Sequence, residues 1–193
     1  MNWKTIFNPF ERFDDKLLLV VGLFTVAAAI LTGYWTGTCF SSIYKISSLE
    51  QVTLQAVAIP TLVSFAFAIV VLFILGKILN TKTRFIDIVN TVLISQLFLI
   101  ILQSTEKISI IKEAPKRVMS HQADPSTPLP VLDIAVMLTM AFFTIIILIY
   151  SITIYYNGFK TATNIKKWQH IVLFTAVSLI MTLICQILTS KYF

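Results

Sequence analysis

Five long apolar runs dominate the chain: Leu17–Trp35, Val57–Leu79, Phe85–Leu102, Ile134–Tyr156 and Trp168–Leu188. Each is close to the roughly 20 residues a helix needs to cross hydrocarbon. None carries a charge near its middle; Lys77 and Asp87 stand at the ends of theirs. The pattern predicts an all-α fold, a polytopic transmembrane helical bundle. Its five spans fall at about 17–36, 56–79, 85–103, 133–156 and 168–189, with one long outer loop at 105–130. Residues 17–193 form this membrane domain, and residues 1–16 precede it as a segment of different character.

In that first segment Trp3, Ile6, Phe7, Phe10 and Phe13 recur at helical spacing, with Lys4, Glu11, Arg12, Asp14 and Asp15 between them. Asn8-Pro9 reads as an N-cap followed by proline at the first helical position, and Glu11 is placed for a capping box. A short amphipathic helix lying in the inner headgroup region fits this pattern. A hydrophobic collar leading into the first span is the simpler alternative.

Ala29, Gly33 and Gly37 follow at four-residue spacing, a stripe that lets a neighbouring backbone approach closely. It serves packing within the bundle or, alternatively, homodimerisation. Tyr34 and Trp35 mark the outer interface. The second helix is expected to start near Ser48, capped by Ser47 with Glu50 or Ser48 with Gln51, and to be kinked or interrupted at Pro60. A tight turn from Gly76 to Arg84 makes spans two and three an antiparallel hairpin. Span three is the most polar, with Asp87, Asn90, Ser95, Gln96 and Gln103 on or near it, and Asp87 is placed to pair with Arg84.

Pro115, Pro125, Pro128 and Pro130 interrupt the outer loop. They predict a mobile connector with one helical turn around Ile108–Glu113, in which His121 is solvated. Asp133 is placed to cap span four. That span is expected to close at the inner aromatic belt, Tyr155 and Tyr156, with Gly158 as its C-cap.

Composition agrees with the pattern. Hydrophobic residues are 57% of the 193, charged residues only 12%, and the mean hydropathy is +0.86; soluble domains carry about 25% charge. The length leaves no room for a separate catalytic or receptor domain. The net charge of +6 has a topological source rather than a nucleic-acid partner. With the N-terminus inside, inner segments hold nine positive residues: Lys4, Arg12, Lys16, Lys77, Lys82, Arg84, Lys160, Lys166 and Lys167. Outer segments hold six: Lys45, Lys107, Lys112, Lys116, Arg117 and Lys191. The bias predicts N-terminus in, C-terminus out. No cleavable signal peptide is expected, because the first apolar run is too long for an h-region. Cys39 and Cys185 both fall near outer helix ends. A disulfide is conceivable there, and two inert small apolar side chains are the plainer reading.

Catalytic chemistry is missing from the pattern. Neither histidine has a partner at metal-ligand spacing, and no nucleophile elbow, phosphate loop or dinucleotide fingerprint occurs. An intramembrane protease would need paired aspartates or a serine–histidine pair, whereas Asp87 is alone in its span. No enzyme activity and no cofactor is expected. A small transporter or channel subunit is the alternative. Against it, no ionisable residue sits at mid-membrane, and five spans do not divide into equal repeats.

Four features in order resemble the Yip family of Ypt/Rab-interacting membrane proteins. Ile6-Phe7-Asn8-Pro9-Phe10-Glu11-Arg12-Phe13 precedes span one, and Pro60 falls early in span two. Leu75-Gly76-Lys77-Ile78-Leu79-Asn80 turns at once into span three. Tyr155-Tyr156-Asn157-Gly158-Phe159-Lys160 leaves span four ahead of Asn164–His170. The resemblance implies five spans, a cytosolic N-terminus, an outside C-terminus and no catalysis. Its eukaryotic members act in vesicle traffic, bind prenylated small GTPases and organise membranes. This chain lacks their long cytosolic N-terminal region, which implies a bacterial inner-membrane member.

The expected working surface is the inner face. Trp3, Phe7, Phe10, Arg12, Phe13, Lys77, Lys82, Arg84, Lys160, Lys166 and Lys167 are its candidate lipid- or partner-binding residues. Ala29, Gly33, Gly37 and Pro60 are candidates for helix packing or kinking. The expected partners are the bilayer, anionic headgroups, and a membrane or cytosolic protein or a second copy of the chain.

Overall fold

Backbone amides in hydrocarbon must be satisfied internally, and the apolar runs meet that demand as helices. A computed structural model describes residues 6–123 and 130–192. The helices are α1 (Asp15–Thr36), α2 (Leu54–Leu79), α3 (Phe85–Ser95), α4 (Leu99–Thr105), α5 (Ser109–Ala123), α6 (Val131–Thr163) and α7 (Trp168–Tyr192). Among the described residues, α1, α2, α3 with α4, α6 and α7 supply five helical stretches long and apolar enough to cross a membrane. Alternate spans run in opposite senses. One end of the bundle, the N-terminal face, carries residues 6–14, the α2–α3 turn and the α6–α7 turn. The opposite end carries α5 and a small antiparallel sheet of β1 (Thr38–Ser42) and β2 (Lys45–Ser48).

Packing places α3 between α1 and α6, while α7 rests on α2 and on β1. Small residues set the closest approach. An added Cβ at Gly22 would stand 2.9 Å from Leu93 Cβ, and one at Gly33 would stand 2.5 Å from the Thr38 carbonyl. Ala29 is fully buried between them. The stripe therefore packs within the chain, and its small members are Gly22, Ala29 and Gly33. Gly37 lies past the helix, as a left-handed C-cap with φ 74°.

The sheet is the main departure from expectation. Residues 38–48 do not lead into a helix starting at Ser48; they form a hairpin, and Thr53 caps α2 by accepting from the Ala56 amide at 3.1 Å. Neither Ser47 nor Ser48 acts as the cap. Every residue of β1 is buried. Its polar backbone is met by side chains. Phe40 N–H donates to Thr61 Oγ1, Ser64 Oγ donates to the Phe40 carbonyl at 2.9 Å, and Thr189 Oγ1 donates to the Ser41 carbonyl at 3.0 Å. Ser64 is ten residues along α2, about 15 Å of rise, so the hairpin folds back into the bundle from the face opposite the N-terminus. Irregular backbone at such depth is tolerated only inside protein.

Other expectations are corrected nearby. Pro60 is buried inside α2, which continues past it, so the helix is not interrupted there. Proline at the seventh helical position leaves the Ala56 carbonyl without its i+4 amide, a loss the rest of the helix outlasts. The third span breaks at 96–98, where the Ser151 hydroxyl donates to the Ser95 carbonyl and Ser95 Oγ donates back to Val92 O. Side chains that take over helix carbonyls in this way open the ladder. The span of α6 does not stop at Gly158; it continues to Thr163, and Asn164 at φ 50° is its C-cap. Tyr155 is 1% exposed and belongs to the core rather than to an interfacial belt.

Residues 109–123 are helical through Pro115, where one turn around Ile108–Glu113 was expected. The helix is fastened sideways. Arg117 forks onto Asp133 at 2.6 and 2.8 Å and onto Glu113 at 2.9 Å, and Ala114 is fully buried beneath. Asp133 thus pairs with a cation instead of capping α6, and His121 sits on this helix rather than in a loop. Cys39 and Cys185 are both buried free thiols. Burial pushes the Cys39 thiol up to about 11.

Candidate functional site

Three chain segments meet at the N-terminal face and are knitted by polar side chains. Trp3 lies outside the described residues. From Ile6 the chain does not present the capped helix the Asn8-Pro9-Glu11 pattern predicts. It makes a short 3-10 turn, Pro9–Glu11, with no side-chain cap at Asn8. The reason is docking onto α6. Tyr150 donates to the Ile6 carbonyl and Asn157 Nδ2 to the Phe7 carbonyl, both at 2.8 Å, while Asn8 Nδ2 reaches Thr161 Oγ1 at 3.3 Å. Phe10 lies over Gly158, where an added Cβ would come within 2.8 Å of its ring and 2.6 Å of Thr91 Oγ1. Gly158 is therefore a seat for Phe10 and α3.

The α2–α3 turn is built by Asn80, whose Oδ1 accepts from the Lys82 amide at 3.0 Å, a side-chain turn typical of asparagine. The same side chain ties the turn to α6, as Nδ2 donates to the Thr163 carbonyl at 3.0 Å. Arg84 clasps α1 to α3, with Asp87 at 2.7 Å and Asp15 at 2.9 Å. The Asp87 hydrogen bond first, then the charges of Asp87 and Asp15, hold its guanidinium above the ordinary arginine range. Below the clasp, a cavity of about 100 Å³ is lined by Phe10, Asp15, Arg84, Asp87, Asn90 and Gly158 among others.

The candidate residues divide by environment. Phe7 and Phe13 are 38% and 45% exposed, and Phe10 is half-buried. Lys82, Lys166 and Lys167 are exposed along the two turns, as is Arg12. Lys77 donates to the Thr81 carbonyl at 2.9 Å and lies over Phe73, while Lys160 lies 6.0 Å over Tyr156. Arg84 is engaged by carboxylates. Sequence reasoning read Asn8 as a cap and Asn80 and Asn157 only as motif positions, and it missed Tyr150; all four hold the face together. Asparagines flanking two turns were the available signal. Among the described residues no group of three or more His, Cys, Asp or Glu could hold a metal ion.

Five long apolar helices and a polar-knit face define an integral, multi-pass membrane protein. The Yip1 domain family matches residues 3–189, nearly the whole chain, and the chain belongs to that family. No curated protein and no solved structure matches it.

Proposed function

We propose that the chain is a non-enzymatic membrane-organising or partner-binding scaffold whose working surface is the N-terminal face. The observation that carries this reading is the convergence of the N-terminal segment, the α2–α3 turn and the α6–α7 turn on one surface. That surface combines exposed Phe7 and Phe13 with Lys82, Lys166 and Lys167. Aromatics that enter the headgroup boundary beside lysines attract anionic lipid or an acidic partner. The positive-residue bias supports a cytoplasmic N-terminal face with the C-terminal end of α7 outside.

Crosslinking in native membranes followed by mass spectrometry of co-purifying proteins and lipids tests the reading. A partner or anionic lipid that is lost on Phe7→Asp or Lys82→Glu supports it. Unchanged association in both variants contradicts it. A transport role is the second reading, favoured by one observation: Asn90, Gln96 and Gln103 are buried on α3–α4 with amide atoms lacking partners. Under that reading substitutions at Asp87, Asn90, Gln96 and Pro60 abolish function while inner-face changes are silent.

A further inference from the structure

Helices α6 and α7 follow one another in sequence yet scarcely pack along their length. The buried stripe of α7, Phe174, Ser178, Met181, Cys185 and Thr189, faces α2 and the hairpin. The ring contacts with α6 are made by Phe174, which meets Tyr155 at 5.3 Å and stacks on Phe159 at 4.6 Å. Tyr44 at the hairpin tip stands in the gap, edge-on to Tyr155 at 5.9 Å. A cleft of about 320 Å³ remains, lined by Tyr44, Leu148, Ile152, Tyr155, Phe174 and Ser178 among others, with no charged residue in its wall. Its rim residues Ile152 and Leu179 are 47% and 63% exposed, so it opens sideways, toward lipid.

Three hydroxyls in this apolar wall, those of Tyr44, Tyr155 and Ser178, make no well-formed hydrogen bond among the described residues. Tyr155 is 1% and Ser178 8% exposed. They converge: Tyr155 lies within electrostatic reach of Tyr44 and within side-chain hydrogen-bonding reach of Ser178, a pair that still holds a hydroxyl hydrogen to spare for an outside acceptor. Unsatisfied hydroxyls in hydrocarbon are costly. A phenol or serine hydroxyl can donate to an acceptor such as a carbonyl, and no protein carbonyl fills that role here. The absence of charge in the wall selects an uncharged ligand, and three aromatic rings select a planar one. Ser178 lies ten residues from the start of α7, about 15 Å of rise, or half of a hydrocarbon core of about 30 Å. Phospholipid ester carbonyls sit at the edge of that core, so the acceptor belongs to a molecule dissolved within it.

We propose that the α6–α7 cleft binds a lipid-soluble ring carbonyl compound of the membrane-quinone class. Its carbonyl accepts from Tyr155 and Ser178, and its tail leaves through the lateral opening. The site lies within the membrane, apart from the N-terminal face, and stands independently of the scaffold reading.

The test is photolabelling of the full chain in phosphatidylcholine nanodiscs with a decyl-tailed azidobenzoquinone, mapped by mass spectrometry. The expected label falls on the peptides containing Leu148–Tyr155 and Phe174–Thr182 and is competed by the unmodified decyl-tailed quinone. Tyr155→Phe with Ser178→Ala removes two donors and leaves the packing, and should weaken competition about tenfold. Ser178→Ala alone should act in the same direction, and Leu148→Trp, which fills the cleft, should abolish labelling. Equal competition in the double variant and the wild type overturns the proposal. So does hexadecane competing as well as the quinone, which would make the cleft an unspecific crevice. Diacylglycerol competing where the quinone does not would assign the hydroxyls to lipid esters and equally end it.

Discussion

The two ends of this bundle solve the same problem with opposite means. At the N-terminal face, asparagines, a tyrosine and an arginine clasp exposed turns, and the polar groups lie within reach of water. At the other end, a short β-hairpin is folded into the bundle, and its carbonyls are met by serine and threonine hydroxyls from α2 and α7. Where water can replace a lost bond, each clasp contributes little; where it cannot, each hydroxyl matters more. The hairpin end should accordingly be the brittle one and the N-terminal face the adaptable one, as the docking surface proposed above requires.

The largest expected effect is at Gly33. Leucine there would drive a side chain into the Thr38 carbonyl, Gln103 and Val57, and overpacking of this kind costs about 1–3 kcal/mol or more. A thermal melt in detergent should show G33L unfolding well below wild type; an unchanged melting temperature would break the hairpin side of the comparison. Next is Ser64→Ala, which strands the buried Phe40 carbonyl and should cost about 1–3 kcal/mol. Arg84→Ala removes an exposed ion-pair clasp and should cost no more than about 1 kcal/mol. If the order of these two variants in the same melt were reversed, the contrast between the ends would fail.

The smallest effect concerns reactivity. With its thiol pushed up to about 11, Cys39 holds about a hundredfold less thiolate than an ordinary thiol near neutral pH. Its rate of alkylation in the folded protein should climb with pH up to that value. A rate matching an exposed cysteine at pH 7.5 would place β1 outside the protein interior.

How much of this was legible in the sequence follows the same division. Apolar runs of span length announce helices whatever their neighbours do, because hydrocarbon leaves the backbone few alternatives. The Arg84–Asp87 pair could be read at i,i+3 spacing within one turn. The hairpin could not be read in the same way. Thr38–Ser48 mixes serines with Phe40, Ile43, Tyr44 and Ile46, so it resembles a loop on hydropathy. Its burial depends on Ser64 and Thr189, 24 and 148 residues away from their partners. The signal present was length, since a simple turn between α1 and α2 needs fewer residues than lie between Thr36 and Leu54. Gly158 misled for a related reason. Glycine at the end of an aromatic run suits a helix stop, but here Thr91 and Phe10, far along the chain, require the missing side chain. Pro115 likewise marked a break that the Arg117–Asp133 fork and the packing of Ala114 override.

Hydrogen exchange of the backbone amides of β1, residues 38–42, in nanodiscs tests the folded-back hairpin most directly, because it needs no substitution. This strand, buried between α2, α7 and α1, should exchange as slowly as the core of α2, and faster exchange is expected only in the half-exposed β2. Exchange within seconds, at the rate of an open loop, would contradict the account.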